Sequence, residues 1–259
     1  MVNRNGAPDE IDALGPAVSL KTVALMFLAV IAGAFAAVVL LPAWMPGLAT
    51  SMVGSQPKAY WYLSRASGFV AYGLVWASMV FGLLITNKLA RVWPGGPTAF
   101  DLHQYVSLLG LAFGLFHALI LLGDRYVNYT LVQVLMPFAS IGYRPLLVGL
   151  GQVGFYVMVI VSATFYIRKN IGHRAFRMIH LLSYGMFLLA LVHGLGAGTD
   201  STTLWAGIMY WATGGVVLFL TVYRILVTRA QPRRAAPAAQ PRPETARQWS
   251  RPPAAGPRP

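Results

Sequence analysis

The sequence predicts an all-α integral membrane protein: a bundle of six transmembrane helices with both termini in the cytoplasm. Three observations carry this. Of 259 residues, 57% are apolar and only 10% are charged, whereas a soluble domain carries about 25% charged residues. Six stretches reach the roughly 20 apolar residues that a spanning helix needs. The lysines and arginines then alternate between the two sides of those stretches.

The predicted spans are 22–41, 61–85, 102–122, 146–167, 176–195 and 204–227. The first follows a polar segment containing Asp9, Glu10 and Asp12, and no small-residue cleavage site comes soon enough for a signal peptide. A retained helix is expected there. Lys88 and Arg91 separate spans two and three; Arg168, Lys169, Arg174 and Arg177 separate spans four and five; Arg224, Arg229, Arg233 and Arg234 lie at or beyond the end of span six. The opposite loops are poorer in positive charge, with Lys58, Arg65, Arg125 and Arg144. The positive-inside rule therefore assigns the richer side to the cytoplasm, in a multi-pass protein of the cell membrane. The apolar stretch 129–138 is too short to cross and is expected at the outer interface or packed over the bundle. From Gln231 the chain is mostly Pro, Ala, Arg and Gln, a composition that predicts a disordered tail. The expected organisation is a polar segment 1–21, a membrane domain 22–227 and a basic tail 228–259.

The net charge is +13, with arginines concentrated in the tail and beside apolar runs. Their partners there are lipid headgroups and the topology machinery, not nucleic acid. Cysteine is absent. That excludes disulfides, thiolate metal sites, covalent c-type haem attachment and iron–sulfur clusters.

Four of the five histidines fall inside the spans: His103 and His117, fourteen apart on span three, and His180 and His193, thirteen apart on span five. Ionisable side chains are expensive in lipid and need a reason to be there. Spans three and five run in the same direction, so His103 and His180 share a depth near the inner face, and His117 and His193 share one near the outer face. The two depths are roughly 20 Å apart at 1.5 Å rise per residue. Neutral imidazoles suit haem iron, and two per iron leave no open position for oxygen or peroxide chemistry. The reading is two b-type haems, one between His103 and His180 and one between His117 and His193, passing single electrons across the membrane. A cross-helix hydrogen bond accounts for one membrane histidine but poorly for four at matched depths. A transition-metal transporter also uses histidines, yet these pairs stand too far apart for one site, and the core offers few carboxylates, with Asp101 near a helix end. His173, in a loop, is read as a surface histidine.

On span three, His103, Gly110, Gly114 and His117 fall within about 40° of one stripe. The glycines either leave room for a macrocycle or form a helix-packing face, and the sequence supports both readings. Span five fits less simply, because thirteen residues of ideal helix rotate His193 roughly 140° away from His180. The run Gly194, Gly196, Gly198 predicts a helix end there, with a tightened last turn that returns His193 to the seam.

At these residues the chain resembles the ferric reductase-like transmembrane domain family, the membrane portion of ferric reductases and NADPH oxidases. Other stretches carry the likeness: Ser64-Arg65-Ala66-Ser67-Gly68, Pro137-Phe138-Ala139-Ser140 before Tyr143-Arg144-Pro145, and Ala197-Gly198-Thr199-Asp200 after His193. The resemblance covers about residues 55–227. It implies six helices and two b-type haems ligated by His103, His117, His180 and His193. It also implies that Arg65 stands near the outer haem, holding a propionate or attracting an anionic acceptor, where the alternative is an interfacial snorkelling arginine. Arg174 and Arg177 precede His180 by one or two turns; they pair with inner-haem propionates or serve topology alone. Thr199 and Asp200 either shape the outer exit or serve the helix end.

Family members that oxidise NAD(P)H continue into a flavin- and nicotinamide-binding domain. Here span six leads to a short proline-rich tail without a G-x-G-x-x-G loop, so no flavin or NAD(P) site is expected in this chain. It is also similar to haem subunits that work beside a separate partner, such as the membrane component of bacterial methionine sulfoxide reductase systems. The expected role is the haem subunit of an oxidoreductase, with no catalytic residue of its own. A flavin-dependent reductase would supply its electrons, and ferric iron or a redox protein outside would accept them. A quinol-linked cytochrome b drawing on the quinone pool is the alternative within redox chemistry.

Overall fold

The structure is a computed structural model that describes residues 15–52 and 58–230. Asp9, Glu10, Asp12 and the expected disordered tail from Gln231 lie outside the described residues. Six helices are long and apolar enough to cross a membrane: Leu20–Trp44, Ala59–Thr86, Gly96–Gly123, Pro145–Tyr166, His173–Ala197 and Leu204–Arg229. The described residues contain no strand. The chain is an all-α membrane bundle.

Helix α1 (Leu20–Phe35) starts at Ser19, whose hydroxyl accepts the Thr22 N–H at 3.1 Å. It continues through a π-helical turn, Ala36–Leu40, into Leu41–Trp44. Pro42 explains the widened turn: it has no N–H to donate, and its ring crowds the carbonyl four residues back. Then come α2 (Ala59–Thr86) and α3 (Gly96–Leu119), the latter extended by a 3₁₀ turn to Gly123. The short α4 (Leu131–Leu135) precedes α5 (Pro145–Tyr166). Helices α6 (His173–His180), α7 (Leu182–Ala197) and α8 (Leu204–Ala230) complete the chain. Pro97 and Pro145 both sit in first turns, where a missing N–H costs nothing.

Among the described residues, those up to Arg224 form one compact unit, and the end of α8 from Ile225 belongs to a second. Within the first unit, α2 packs chiefly along α3, and α5 along α7. Lipid provides no hydrophobic drive between helices, so close packing and hydrogen bonds must hold them. The α2 face supplies Ser64, Ser67 and Ser78, all buried. Tyr72 links α2 to α8 through a 2.6 Å hydrogen bond with Thr213. Around it Val75, Met79, Leu111, Met158, Met186, Phe187 and Tyr210 form the core. Large apolar side chains such as Leu28, Leu188 and Phe219 are exposed, the surface that a lipid environment accepts.

One expectation changes. Span five is interrupted: α6 ends at His180, Leu181 makes a turn, and Tyr184 N–H bonds to the Leu181 carbonyl at 3.2 Å. The tightening lies directly after His180, whereas the glycine run Gly194–Gly198 predicted it at His193. Helix α7 ends inside that glycine run, at Ala197 with Gly198 as its cap, and Tyr143 and Arg144 donate to the Ala197 and Gly196 carbonyls and so satisfy its C-terminal acceptors. The stretch 129–138 packs over the bundle. Its α4 is opened by a Thr130–Gln133 capping box, and Gln152 of α5 donates to the Gln133 and Val134 carbonyls at 2.7 and 2.8 Å.

Candidate functional site

The four membrane histidines meet in two pairs. The rings of His103 and His180 have centroids 6.0 Å apart at 68°, and those of His117 and His193 stand 6.1 Å apart at 79°. Among the described residues no hydrogen bond joins the rings of either pair.

Each of three histidines has the same kind of seat. His117 Nδ1–H donates to the Ser64 carbonyl at 2.7 Å, His103 Nδ1–H to the Ser78 carbonyl at 2.9 Å, and His193 Nδ1–H to the Leu147 carbonyl at 2.8 Å. A carbonyl only accepts, so the proton sits on Nδ1 and the lone pair on Nε2. Four residues beyond each carbonyl comes a glycine against the same ring. A Cβ on Gly68 would lie 2.9 Å from His117, on Gly82 3.3 Å from His103, and on Gly151 2.6 Å from His193. Ser64 and Ser78 add their hydroxyls, 3.1 and 3.3 Å from the same Nδ1 atoms.

Ser64 and Gly68 lie in a stretch that carries the resemblance, whereas Ser78, Gly82, Leu147 and Gly151 were not singled out from the sequence, although a signal for the α2 residues was present. Ser64-x₃-Gly68 and Ser78-x₃-Gly82 are two Ser-x₃-Gly units fourteen residues apart on α2. They run antiparallel to two histidines fourteen apart on α3.

His180 breaks the pattern. Its buried Nδ1 has no hydrogen-bond partner among the described residues. Carried thirteen residues along α5, the register that seats His193 on Leu147 and Gly151 reaches Ile160 and Thr164. Thr164 brings a side chain where glycine would serve, and its hydroxyl turns to the Val161 carbonyl at 2.8 Å. The His180 ring instead packs on Phe176, 5.4 Å between centroids.

The His117–His193 pair opens on a cavity of about 260 Å³ whose walls include Gly68, Gly110, Gly114, Gly151, Tyr72 and Met158. Both helix-three glycines therefore line the space, and Gly110 also packs closely on Leu74 and Met158. At the mouth stand Arg65, Thr199 and Asp200, with Arg65 and Asp200 forming an ion pair. Tyr143 lines the same mouth; burial raises its phenol pKa, so it remains a donor to the Ala197 carbonyl at 2.7 Å. Arg174, Arg177 and His173 are exposed on α6, and Arg177 does not line this cavity. A second hollow, formed by Leu131, Val132, Leu135, Met136, Pro137 and Tyr156, is almost wholly apolar.

The donor set can be tested against a metal group. A metal–imidazole bond is about 2 Å and the ring centre lies about 1 Å behind the nitrogen, so imidazoles on opposite sides of one metal stand about 6 Å apart. Both pairs have that spacing. Among the described residues no group of three or more His, Cys, Asp or Glu converges, so each pair would offer a metal two imidazole nitrogens. That donor set suits a metal whose remaining positions a macrocycle fills, as in bis-histidine haem. No family model, curated protein or solved structure matches the chain.

Proposed function

We propose that this chain carries electrons across the cell membrane through two bis-histidine b-type haems, from a cytosolic-side donor to ferric iron or a redox protein outside. The observation that carries the reading is two pairs of imidazoles with ring centroids 6.0 and 6.1 Å apart, at two levels of one bundle. When bound, haem supplies reversible one-electron chemistry.

The chain's own residues do the rest. The Ser64, Ser78 and Leu147 carbonyls keep the protons of His117, His103 and His193 on Nδ1, which frees Nε2 for a metal and raises ligand basicity. Gly68, Gly82 and Gly151 let the rings approach the neighbouring backbone. Tyr72, Met158, Met186 and Phe187 belong to the buried, largely apolar core of the bundle. The basic loops carrying Lys88, Arg91, Arg168, Lys169, Arg174 and Arg177 face the cytoplasm, making His103–His180 the inner pair and His117–His193 the outer. With the cytoplasm negative, moving one electron outward is favoured by about 2.3 kcal/mol per 100 mV for a full crossing. Arg65, at the outer mouth, offers a guanidinium to a propionate or an anionic acceptor. Arg177 offers the same on the inner side. The donor is a separate flavin-dependent reductase or the quinone pool, so the chain acts as the haem subunit of an oxidoreductase.

The test is a reduced-minus-oxidised spectrum with haem stoichiometry on protein purified after expression with ample haem. Two b-type haems per chain support the reading. A colourless protein that retains divalent metal overturns it in favour of a metal transporter.

A further inference from the structure

The two outer histidines belong to helices with different neighbours. His117 is on α3, packed along α2, and His193 is on α7, packed along α5. Their 6.1 Å spacing depends on the packing of α3 against α5 and on what joins α2 to the end of α7. At mid-depth Tyr72 of α2 stacks on Phe187 of α7, with centroids 6.0 Å apart. At the outer end the ion pair of Arg65 with Asp200 joins them directly, beside a route from the Trp61 ring of α2 through Tyr143 to the Ala197 carbonyl.

Both ends of that pair are anchored beside a histidine seat. Arg65 directly follows Ser64, whose carbonyl and hydroxyl hold the His117 ring. Asp200 lies seven residues beyond His193, in a turn with its own bonds: Gly198 N–H to the Gly194 carbonyl at 3.1 Å, Ser201 hydroxyl to the Gly198 carbonyl at 2.8 Å, and Thr203 N–H to the Asp200 carbonyl at 2.8 Å. The Tyr62 ring flanks the guanidinium at 5.5 Å. The side chains are only 25% and 22% exposed, so their attraction is weakly screened, and either charge alone would be left poorly solvated.

We infer that Asp200 is a positioning residue for the outer imidazole pair: through Arg65 it holds the helix bearing His193 at a set distance from the seat of His117. The mechanical part stands on the contacts alone; its redox consequence rests on the haem reading above.

The test separates the two. The chain has no cysteine, so Leu63→Cys and Thr202→Cys place two unique spin labels on α2 and on the turn after α7, in full-length protein with or without haem. Asp200→Asn should broaden the inter-label distance distribution. Asp200→Glu should keep it narrow, and the exchanged pair Arg65→Asp with Asp200→Arg should restore it. In haem-loaded protein, Asp200→Asn should shift the midpoint potential of one of the two components and leave the other in place. An unchanged distance distribution in Asp200→Asn overturns the inference whether or not haem is present. A broadened distribution with both potentials unmoved confines Asp200 to the scaffold and overturns its positioning role at the outer site.

Discussion

Gly151 lies so close to His193 that a methyl group on it would stand 2.6 Å from Nδ1 and 2.7 Å from Cγ. No real Cβ tolerates that approach, and the ring cannot retreat without giving up the Leu147 carbonyl. Gly151→Ala should therefore displace His193 at an overpacking cost of about 1–3 kcal/mol, and haem per chain should fall from two to one. Gly185→Ala is the control, since nothing lies within 4 Å of its added methyl. Equal haem content in both variants would contradict the role assigned to Gly151.

The three ring-backing glycines differ in how near the added methyl would come: 2.6 Å at Gly151, 2.9 Å at Gly68 and 3.3 Å at Gly82. Alanine should accordingly damage its site in the order Gly151, Gly68, Gly82, with the last nearly tolerated. Haem retention during size-exclusion chromatography reads that order directly. A reversed order would show that the glycines serve helix packing rather than the rings.

His180 differs from its three counterparts in lacking a carbonyl for Nδ1 among the described residues. A ligand without that second support is held in orientation less firmly. Carbon monoxide or added imidazole should bind at the His103–His180 site first, with half the total haem responding. Imidazole should also restore the spectrum of His180→Gly more readily than that of His193→Gly. Uniform response of both haems would mean that the unpartnered nitrogen has no consequence.

The ring planes cross at 68° and 79° in the two pairs. Low-spin ferric haem reports the angle between its axial imidazoles, so both sites should give the strongly anisotropic electron paramagnetic resonance signal of near-perpendicular planes. An ordinary rhombic signal from either site would require that pair to rotate on binding.

Gln152 holds the loop above the outer cavity, donating to the Gln133 and Val134 carbonyls at 2.7 and 2.8 Å and accepting the Phe138 N–H at 3.3 Å. Gln152→Leu removes three bonds worth about 1 kcal/mol each. The variant should melt earlier and become cleavable by protease within 129–141. Unchanged protease resistance would show that the capping box and apolar contacts suffice to hold the loop.

The six spans and the grouping of four histidines at two levels follow from the sequence by itself, for a local reason. A lipid-crossing segment must be apolar for about 20 residues and satisfy its backbone internally, and a fixed rise per residue converts histidine spacing into depth. What only the tertiary structure decided is how each ring is held. The acceptors of three Nδ1 protons are backbone carbonyls of Ser64, Ser78 and Leu147; every residue has a carbonyl, so beyond the repeated Ser-x₃-Gly spacing on α2 no side chain marks them, and at Leu147 none does. The register of α2 on α3 and of α5 on α7 selects them, helped by glycines whose missing side chains permit the approach. The turn at Leu181 was likewise hidden, since no glycine or proline marks it. The helix end at the glycine run was legible, with Gly198 as its cap, although its carbonyls find their donors in Tyr143 and Arg144, some fifty residues away in sequence. Asp200 and Arg65 lie still farther apart along the chain, and only the packing of α2 beside the end of α7 makes them partners.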